Sequence, residues 1–579
     1  MSLRACLAAA AAFLLAGPAT AQGISAETPL RPVTNAAAIT NARVVVAPGR
    51  VLDRATILIR DGRIEAVGED LAVPFDAEVV EGDSLTVYAG FIDAFGTAGV
   101  PKPEDPERYQ GDRGDPPREL AGIVPDRDVR QLFDATDGRI KQLREIGFTA
   151  AHIAPRDGLF SGQGTVVLLR ELGRGNAGRG EAPEALILTD PVSFIGRIDT
   201  APGVYPATPM GVLNVMREMV ENGRRRQQAR EAFDAARDGA ARPRFDPALD
   251  AVADLLDGER QFVFVADSWL EGFRALRVSE EMGLSPVLAG IPDVMPLLDR
   301  LTTADVPVFA PLALPDTVKA DSTALAVALP STTPGRVSFV TNRRTVSYAD
   351  VSDEETTMTV QQRAAVRQAE GSAAALSAAE IPFAFATFEV KPGDVHANLV
   401  RMVGAGLDAD DALAALTTTP AGLLGLDREL GTVEAGKLAN LVVTRNALFT
   451  DSTAVRHVFV EGIHYELEGA DAPEGADPDA VVQATGTWDF SVSTPAGDQV
   501  GTFEITGAPG SLGGSLVTEG ETTEFSSVEL DGNTLTITLS SPDTGTVTIS
   551  GIITDDELEA SAEIGSFGSF PFTATRRPE

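Results

Sequence analysis

Three features of this 579-residue sequence predict an α/β protein that combines a closed barrel of parallel strands with all-β regions. Between residues 88 and 430, short apolar segments suited to buried strands alternate with helix-like stretches. Strand-rich sequence precedes this region at 38–87 and returns after it at 431–468. A separate β-rich region at 485–579 follows an acidic linker at 469–484. Such a long alternation of strand and helix favours closure into a barrel.

The N-terminus has the pattern of a secretory signal peptide. Arg4 is followed by an apolar run to Leu15 and then by the small-residue site at 19–21. We therefore expect residues 1–21 to be removed and the mature protein to be periplasmic or secreted. The single cysteine, Cys6, lies inside this segment, so the mature chain has no disulfide.

The opening region predicts a small antiparallel sheet. β-branched runs at 55–59 and 64–67 flank Asp61 and Gly62, a dipeptide typical of hairpin turns. Because 431–468 has the same strand-rich pattern as 38–87, we expect these two segments to pair in one composite β-sandwich.

Within the barrel region, we expect long helices at 129–146 and 270–282 and a tight βα turn at 158–165. The predicted strands are 148–153, 185–188, 262–265, 287–289, 306–309 and 383–386. After the linker, Trp488, Phe490 and Val492 alternate with polar residues, which predicts an independent all-β module.

Charge and hydropathy exclude two classes of partner. The net charge of -37 disfavours nucleic acid, because phosphate binding requires clustered Lys and Arg. No segment after the N-terminus approaches the roughly 20 apolar residues that a membrane span needs. The partners that remain are a small-molecule ligand or a protein.

Four segments resemble the amidohydrolase superfamily, and in particular its imidazolonepropionase-like branch. They are 39–68, Gly90 to Asp93, 412–426 and 431–443, and the likeness extends over about residues 39–467. The resemblance implies a TIM-type (β/α)8 barrel with a composite β-sandwich, here followed by the C-terminal all-β module. It also implies hydrolysis of non-peptide carbon–nitrogen bonds by a metal-bound hydroxide.

The metal ligands that the resemblance implies are replaced in this sequence. Phe95 and Thr97 occupy the positions of the paired histidines, and Thr387 or Phe388 occupies that of the final aspartate. The segments 262–267 and 287–290, where later histidines are expected, contain none. We therefore expect no metal and no other cofactor, and a pseudoenzyme that binds a ligand or acts as a scaffold.

Several polar residues remain candidates for chemistry at the barrel mouth. Asp93, His152 and Asp267 are the candidate catalytic residues, since buried carboxylates and histidines can act as general acids and bases. The candidate ligand-binding residues are Arg156, Glu389 and His396. The alternative function is an active hydrolase of cyclic amides or ureido compounds that uses these residues, with a divalent metal such as zinc in an unusual arrangement.

The signal peptide gives a direct prediction. Intact mass of the exported protein should correspond to a chain that begins at Gln22, because the small-residue site ends at Ala21. An exported species that retains Cys6 would contradict cleavage at this site.

Overall fold

The computed structural model describes residues 36–577 in two compact units, the first ending at Tyr465 and the second beginning at Glu466. The described range excludes 104–108, 174–180, 202, 236–241, 317–347, 451–452, 468–479, 481, 495–496, 509–510, 519–520, 542–544 and 565–567. The predicted signal peptide, together with most of the predicted linker, therefore lies outside the described residues.

The first unit contains sixteen described strands in two sheets. They are β1 (Ala36–Ala47), β2 (Arg50–Arg60), β3 (Arg63–Gly68), β4 (Glu78–Glu81), β5 (Leu85–Ala89), β6 (Phe91–Gly96), β7 (Phe148–Ile153), β8 (Phe160–Leu168), β9 (Ser193–Arg197), β10 (Gln261–Val265), β11 (Pro286–Ala289), β12 (Val308–Pro311), β13 (Phe383–Ala386), β14 (Leu441–Arg445), β15 (Ala454–Val460) and β16 (Ile463–Glu466).

The described α-helices all lie between β6 and β14. They are α1 (Gly138–Glu145), α2 (Pro209–Ala235), α3 (Pro247–Leu256), α4 (Trp269–Met282), α5 (Leu298–Ala304), α6 (Tyr348–Ala378), α7 (Val395–Gly404), α8 (Ala409–Leu416) and α9 (Thr418–Leu423). Short 3-10 helices occur at Val129–Gln131, Pro183–Leu186, Met295–Leu297 and Pro392–Asp394. None of the helices in the described ranges is long and apolar enough to cross a bilayer.

Strands from both sides of the barrel region lie in one sheet. Its order is β16-β15-β14-β5-β1-β2-β3, and β4 pairs with β1. Strand β14 pairs antiparallel with β5, which places Leu441 opposite Ala89. Ile39, Val87 and Phe459 are fully buried in the shared apolar core of this sheet.

The second sheet, β6 to β13, forms the barrel wall in chain order. All its neighbouring strands pair in parallel except β8, which is antiparallel to both β7 and β9. Only 154–159 connect β7 to β8, and a connection this short cannot carry a parallel crossover. The barrel closes where its last strand, β13, meets its first, β6, and we call this junction the seam. There the Phe388 amide donates to the carbonyl of Phe95 at 3.2 Å. The predicted α/β barrel is confirmed, with one reversed strand.

Three local predictions in the barrel region were wrong. The expected strand at 185–188 belongs largely to the 3-10 helix Pro183–Leu186, in which proline begins the turn. The expected turn at 158–165 is mostly strand β8, where Gly162 adopts a φ of 126 beside the Arg127 carbonyl. The helix expected at 129–146 is only α1, whose N-cap Asp137 accepts a hydrogen bond from the Arg139 amide.

The second unit is an antiparallel β-barrel that closes on itself. Its strands are β17 (Gly486–Thr494), β18 (Gly497–Ala508), β19 (Ser511–Thr518), β20 (Glu521–Asp531), β21 (Thr534–Ser541), β22 (Gly545–Thr554), β23 (Glu557–Ile564) and β24 (Gly568–Arg576). Trp488 and Phe503 stack in its interior with ring centroids 5.9 Å apart. The Trp488 indole N–H donates to the carbonyl of Ala484 at 3.0 Å. The predicted all-β module is thus confirmed as a barrel.

The closed barrel predicts that a fragment of residues 480–579 folds on its own, because it contains all eight strands and Ala484. It should give a β-type circular dichroism spectrum and a cooperative thermal transition. A matched fragment that ends after Ile564 lacks β24, leaves two open edges, and should not melt cooperatively. Unfolded behaviour of both fragments would show that the module needs the first unit.

Candidate functional site

Asp93 joins the first and last strands of the barrel. Its Oδ1 accepts hydrogen bonds from the amides of Thr387, at 2.8 Å, and Phe95, at 3.2 Å. Its Oδ2 accepts from the Thr387 hydroxyl at 2.5 Å. Gly96 is required beside this pair, since a Cβ there would lie 2.1 Å from Asp93 Oδ2. Both carboxylate oxygens therefore accept hydrogen bonds that join β6 to the residue after β13.

The environment of Asp93 favours its protonated form. The side chain is fully buried, and this desolvation raises the pKa of Asp93 from 3.8 to about 6 although the Thr387 hydrogen bonds oppose the shift. A carboxyl group with this pKa suits general acid or base chemistry. Its burial, however, gives a substrate no access to it in this conformation.

Aromatic rings fill the barrel interior around position 95. The Phe95 ring lies 5.5 Å from that of Phe388 and 6.4 Å from that of Phe309, measured between centroids. The His152 imidazole packs edge-on against Phe95 at 5.8 Å. Phe95 is only 1% exposed, and Thr97 is also buried. The two positions that carry histidines in the resemblance thus belong to a packed core.

The partners of His152 define its tautomer. Nδ1 lies 2.7 Å from the Ala94 carbonyl, which can only accept, so Nδ1 carries the proton. Nε2 lies 2.7 Å from Ser193 Oγ and therefore accepts from that hydroxyl. Gly164 leaves room for this contact, since a Cβ there would lie 2.7 Å from Nε2. Desolvation lowers the pKa of His152 to about 4, so the imidazole is neutral near pH 7.

These residues do not fit a catalytic metal. A zinc site needs three or four nitrogen, oxygen or sulfur donors at about 2.0–2.3 Å. Asp93 and His152 have the donor atoms, but hydrogen bonds within the barrel use both carboxylate oxygens and both ring nitrogens. Across the described part of the chain, no group of three or more His, Cys, Asp or Glu side chains is arranged to hold a metal.

Asp267 lies elsewhere, after the end of β10. Both of its carboxylate oxygens are 2.8 Å from Nη2 of Arg197, and its side chain is 58% exposed. Arg197 also lies 5.9 Å from the centroid of the Phe388 ring. Glu389, the next residue, has a φ of 61 in the turn after β13. No hydrogen bond among the described residues joins Asp267 to Asp93 or His152.

The other two predicted ligand-binding residues have partners within the fold. The Arg156 guanidinium donates to the carbonyl oxygens of Val100, at 3.0 Å, and Thr97, at 3.2 Å. Desolvation lowers the pKa of Arg156. Nε2 of His396 lies 2.9 Å from the carbonyl of Thr450, in the loop after β14. Both side chains thus hold loops in place in this structure.

A cavity of about 300 Å³ lies at the end of the barrel where β6, β7 and β9 finish. Its charged lining residues are Lys102, Glu119, Arg127, Asp157 and Asp199. None of the six residues predicted as site residues is among them. Arg127 is not part of any motif in the sequence. It reaches this cavity because residues 118–131 pack against β8.

The fold and one segment of the sequence are similar to those of amidohydrolases. Residues 363–464 match the model of the amidohydrolase family. The structure is similar to an amidohydrolase from Thermotoga maritima MSB8, with a TM-score of 0.56 and 21% identity over 74% of this chain and 100% of that one. The class that the fold defines is a TIM-type barrel with a composite β-sheet domain. The match over residues 363–464 and the shared fold both support the amidohydrolase superfamily, which the sequence predicts.

A second structural match is weaker. It is a Xaa-Pro dipeptidase with methionine bound in its active site, at 16% identity over 74% of this chain and 100% of that one. Its TM-score of 0.39 is too low for a comparison of sites. A search of curated proteins gave no match.

The raised pKa of Asp93 predicts how pH affects stability. Because folding favours the protonated acid, Asp93 makes the wild-type protein more stable as pH falls from about 6 to about 4. The Asp93→Asn side chain has nearly the same shape but does not titrate, so the variant lacks this increase in stability at low pH. Its free energy of unfolding relative to wild type should therefore fall by about 2 kcal/mol between pH 7 and pH 4, measured by urea unfolding.

Asp134→Asn is the control, because the hydrogen bond from Thr136 lowers the pKa of Asp134. That acid makes the wild-type protein less stable as pH falls, so the stability difference should drift in the opposite direction. A difference for Asp93→Asn that stays constant from pH 7 to pH 4 would refute the raised pKa.

Proposed function

We propose that this protein is an exported, non-hydrolytic member of the amidohydrolase superfamily whose barrel binds a small ligand or a partner protein. The observation that carries this proposal is the packed barrel interior around Phe95, where metal-bound hydroxide would act in the family. The Phe95 ring packs there against both Phe309 and Phe388. A phenyl ring supplies no ligand to a divalent ion.

The hydrogen bonds of the remaining polar groups support the same proposal. Freeing Asp93 for a metal or a substrate would leave the amide and hydroxyl of Thr387 without their acceptors. Freeing His152 would break its contacts with Ala94 and Ser193. An unsatisfied buried polar group costs about 1–3 kcal/mol, so either change would be opposed by folding.

The proposed location outside the cytoplasm comes from the N-terminal sequence. Its basic start, apolar core and small-residue cleavage site are those of a secretory signal. The acidic composition, with a net charge of -37, is consistent with a ligand other than nucleic acid.

The alternative function, hydrolysis of a cyclic amide or ureido compound, is favoured by one observation. Asp93 has a pKa of about 6, which suits a general base. Asp93 and His152 are both fully buried, however, and Asp267 is paired with Arg197. Hydrolysis would therefore require the barrel to open at its seam, and we favour the binding function.

Elemental analysis of the mature protein, purified without chelator, tests the proposal. We expect well under one equivalent of zinc, manganese or iron, and no chelator-sensitive hydrolysis of dihydrouracil or hydantoin. The double substitution Phe95→His with Thr97→His should still bind zinc weakly, because two imidazoles supply fewer donors than a site requires. Phe309→His is the matched control, since it places one imidazole in the same aromatic cluster.

A full equivalent of metal in the wild-type protein, together with hydrolysis that EDTA abolishes, would overturn the proposal. Hydrolysis without metal that is lost in Asp93→Asn would instead support the alternative. Thermal melting of each variant identifies any loss that comes from unfolding.

A further inference from the structure

The cavity at the ends of β6, β7 and β9 lies on the face where parallel barrels place their binding loops. Neither Asp93 nor His152 lines it, so it is separate from the packed barrel interior. Its floor includes Gly122 and Gly158, whose φ values are 71 and 116. A Cβ on Gly122 would lie 2.9 Å from the Gly158 Cα, so the two backbones can meet only as glycines.

Arg127 enters this cavity from a rigid segment of backbone. Its carbonyl accepts a hydrogen bond from the Gln163 amide of β8 at 2.8 Å, and its amide donates to the Val124 carbonyl at 3.0 Å. The Gln163 side chain donates to the Pro125 carbonyl at 3.1 Å. The position of Arg127 is therefore determined by the barrel wall.

The Arg127 guanidinium has no hydrogen-bond acceptor or ion-pair partner among the described residues. Asp157 and Glu119 act on it electrostatically and line the same cavity, yet neither comes within the 4.0 Å of an ion pair. The side chain is also partly buried, and this desolvation lowers the pKa of Arg127. A partly desolvated cation that faces carboxylates across a gap leaves space for a ligand between them.

We infer that this cavity binds a zwitterion of amino-acid size, with Arg127 on the ligand carboxylate and Asp157 or Glu119 on its ammonium group. The planar guanidinium suits two parallel hydrogen bonds to a carboxylate. Leu120 and Pro103 line the cavity and supply accessible apolar surface for a hydrocarbon side chain. The inference rests on the proposed binding function and specifies its ligand class.

The charges of the lining disfavour ligands with a single kind of charge. The lining has three carboxylates, Glu119, Asp157 and Asp199, against two cations, Lys102 and Arg127, so an anion alone would meet excess negative charge. A cation alone would leave Arg127 without a partner. The volume of about 300 Å³ is at the lower end of the range for ligand pockets, which favours a compact molecule.

Three probes with the same branched hydrocarbon chain test the ligand class on the full-length mature protein. L-leucine carries both charges, 4-methylpentanoate carries only the carboxylate, and 3-methylbutylamine carries only the ammonium group. Isothermal titration calorimetry should show binding of L-leucine that is about tenfold or more tighter than that of either analogue. Failure of L-leucine to bind, or equal binding of 4-methylpentanoate, would overturn the inference.

Variants assign the two halves of the site. Arg127→Gln and Asp157→Asn should each weaken L-leucine binding about tenfold or more, and Arg127→Lys should weaken it less than Arg127→Gln. Arg130→Gln is the matched control, because Arg130 is three residues away and pairs instead with Asp128 and Asp190. That variant should bind L-leucine like the wild-type protein.

If the wild-type protein binds L-leucine but Arg127→Gln and Asp157→Asn bind it equally well, the ligand binds elsewhere and this site is refuted. The result is independent of the metal analysis. A metal-free protein that does not bind L-leucine contradicts only the ligand class, whereas a metal-loaded, chelator-sensitive hydrolase contradicts the proposed function itself.

Discussion

Closure of the central barrel depends on the hydrogen bonds between Asp93 and Thr387. Strand β6 begins the barrel and β13 ends it, so the seam joins residues 294 positions apart in the sequence. The carboxylate bridges the seam through the amide and hydroxyl of Thr387. Together with the bond from the Phe95 amide, these bonds also limit what Asp93 can do, because each carboxylate oxygen already accepts at least one hydrogen bond within the barrel. In this structure the Asp93 carboxylate therefore has a structural role in closing the barrel.

The aromatic cluster follows from the same constraint. The interior around Asp93 is filled by side chains, as expected for protein interiors, which are packed as densely as organic crystals. Phe95, Phe309 and Phe388 fill it, and His152 completes the packing as a neutral imidazole. Any binding function then has to lie outside this core, in the loops at the mouth. The cavity beside Arg127 is such a place, and its walls are held by backbone hydrogen bonds to β8.

The barrel and the composite sheet are joined through buried polar contacts. Arg170 is 5% exposed and pairs with Glu181 at 2.6 Å and with Glu461 at 2.7 Å. Glu461 follows β15 of the composite sheet, so this arginine connects the two layers of the first unit. Arg144 adds a contact across the same boundary, with its guanidinium carbon 4.1 Å from the centroid of the Tyr465 ring. The composite sheet thus helps to fix the position of the barrel wall.

The sequence by itself determined the α/β class and the β-rich module, since these depend on local patterns. It also places Phe95 and Thr97 where the resemblance implies histidines. The sequence predicted that Asp93 is a candidate acid. Its hydrogen-bond partner Thr387 could be identified only from the closed barrel. The reversed strand β8 and the position of Arg127 were also decided by tertiary structure. The physical reason is that hydrogen bonds and charges act through space, whereas local sequence encodes only the preferences of neighbouring residues.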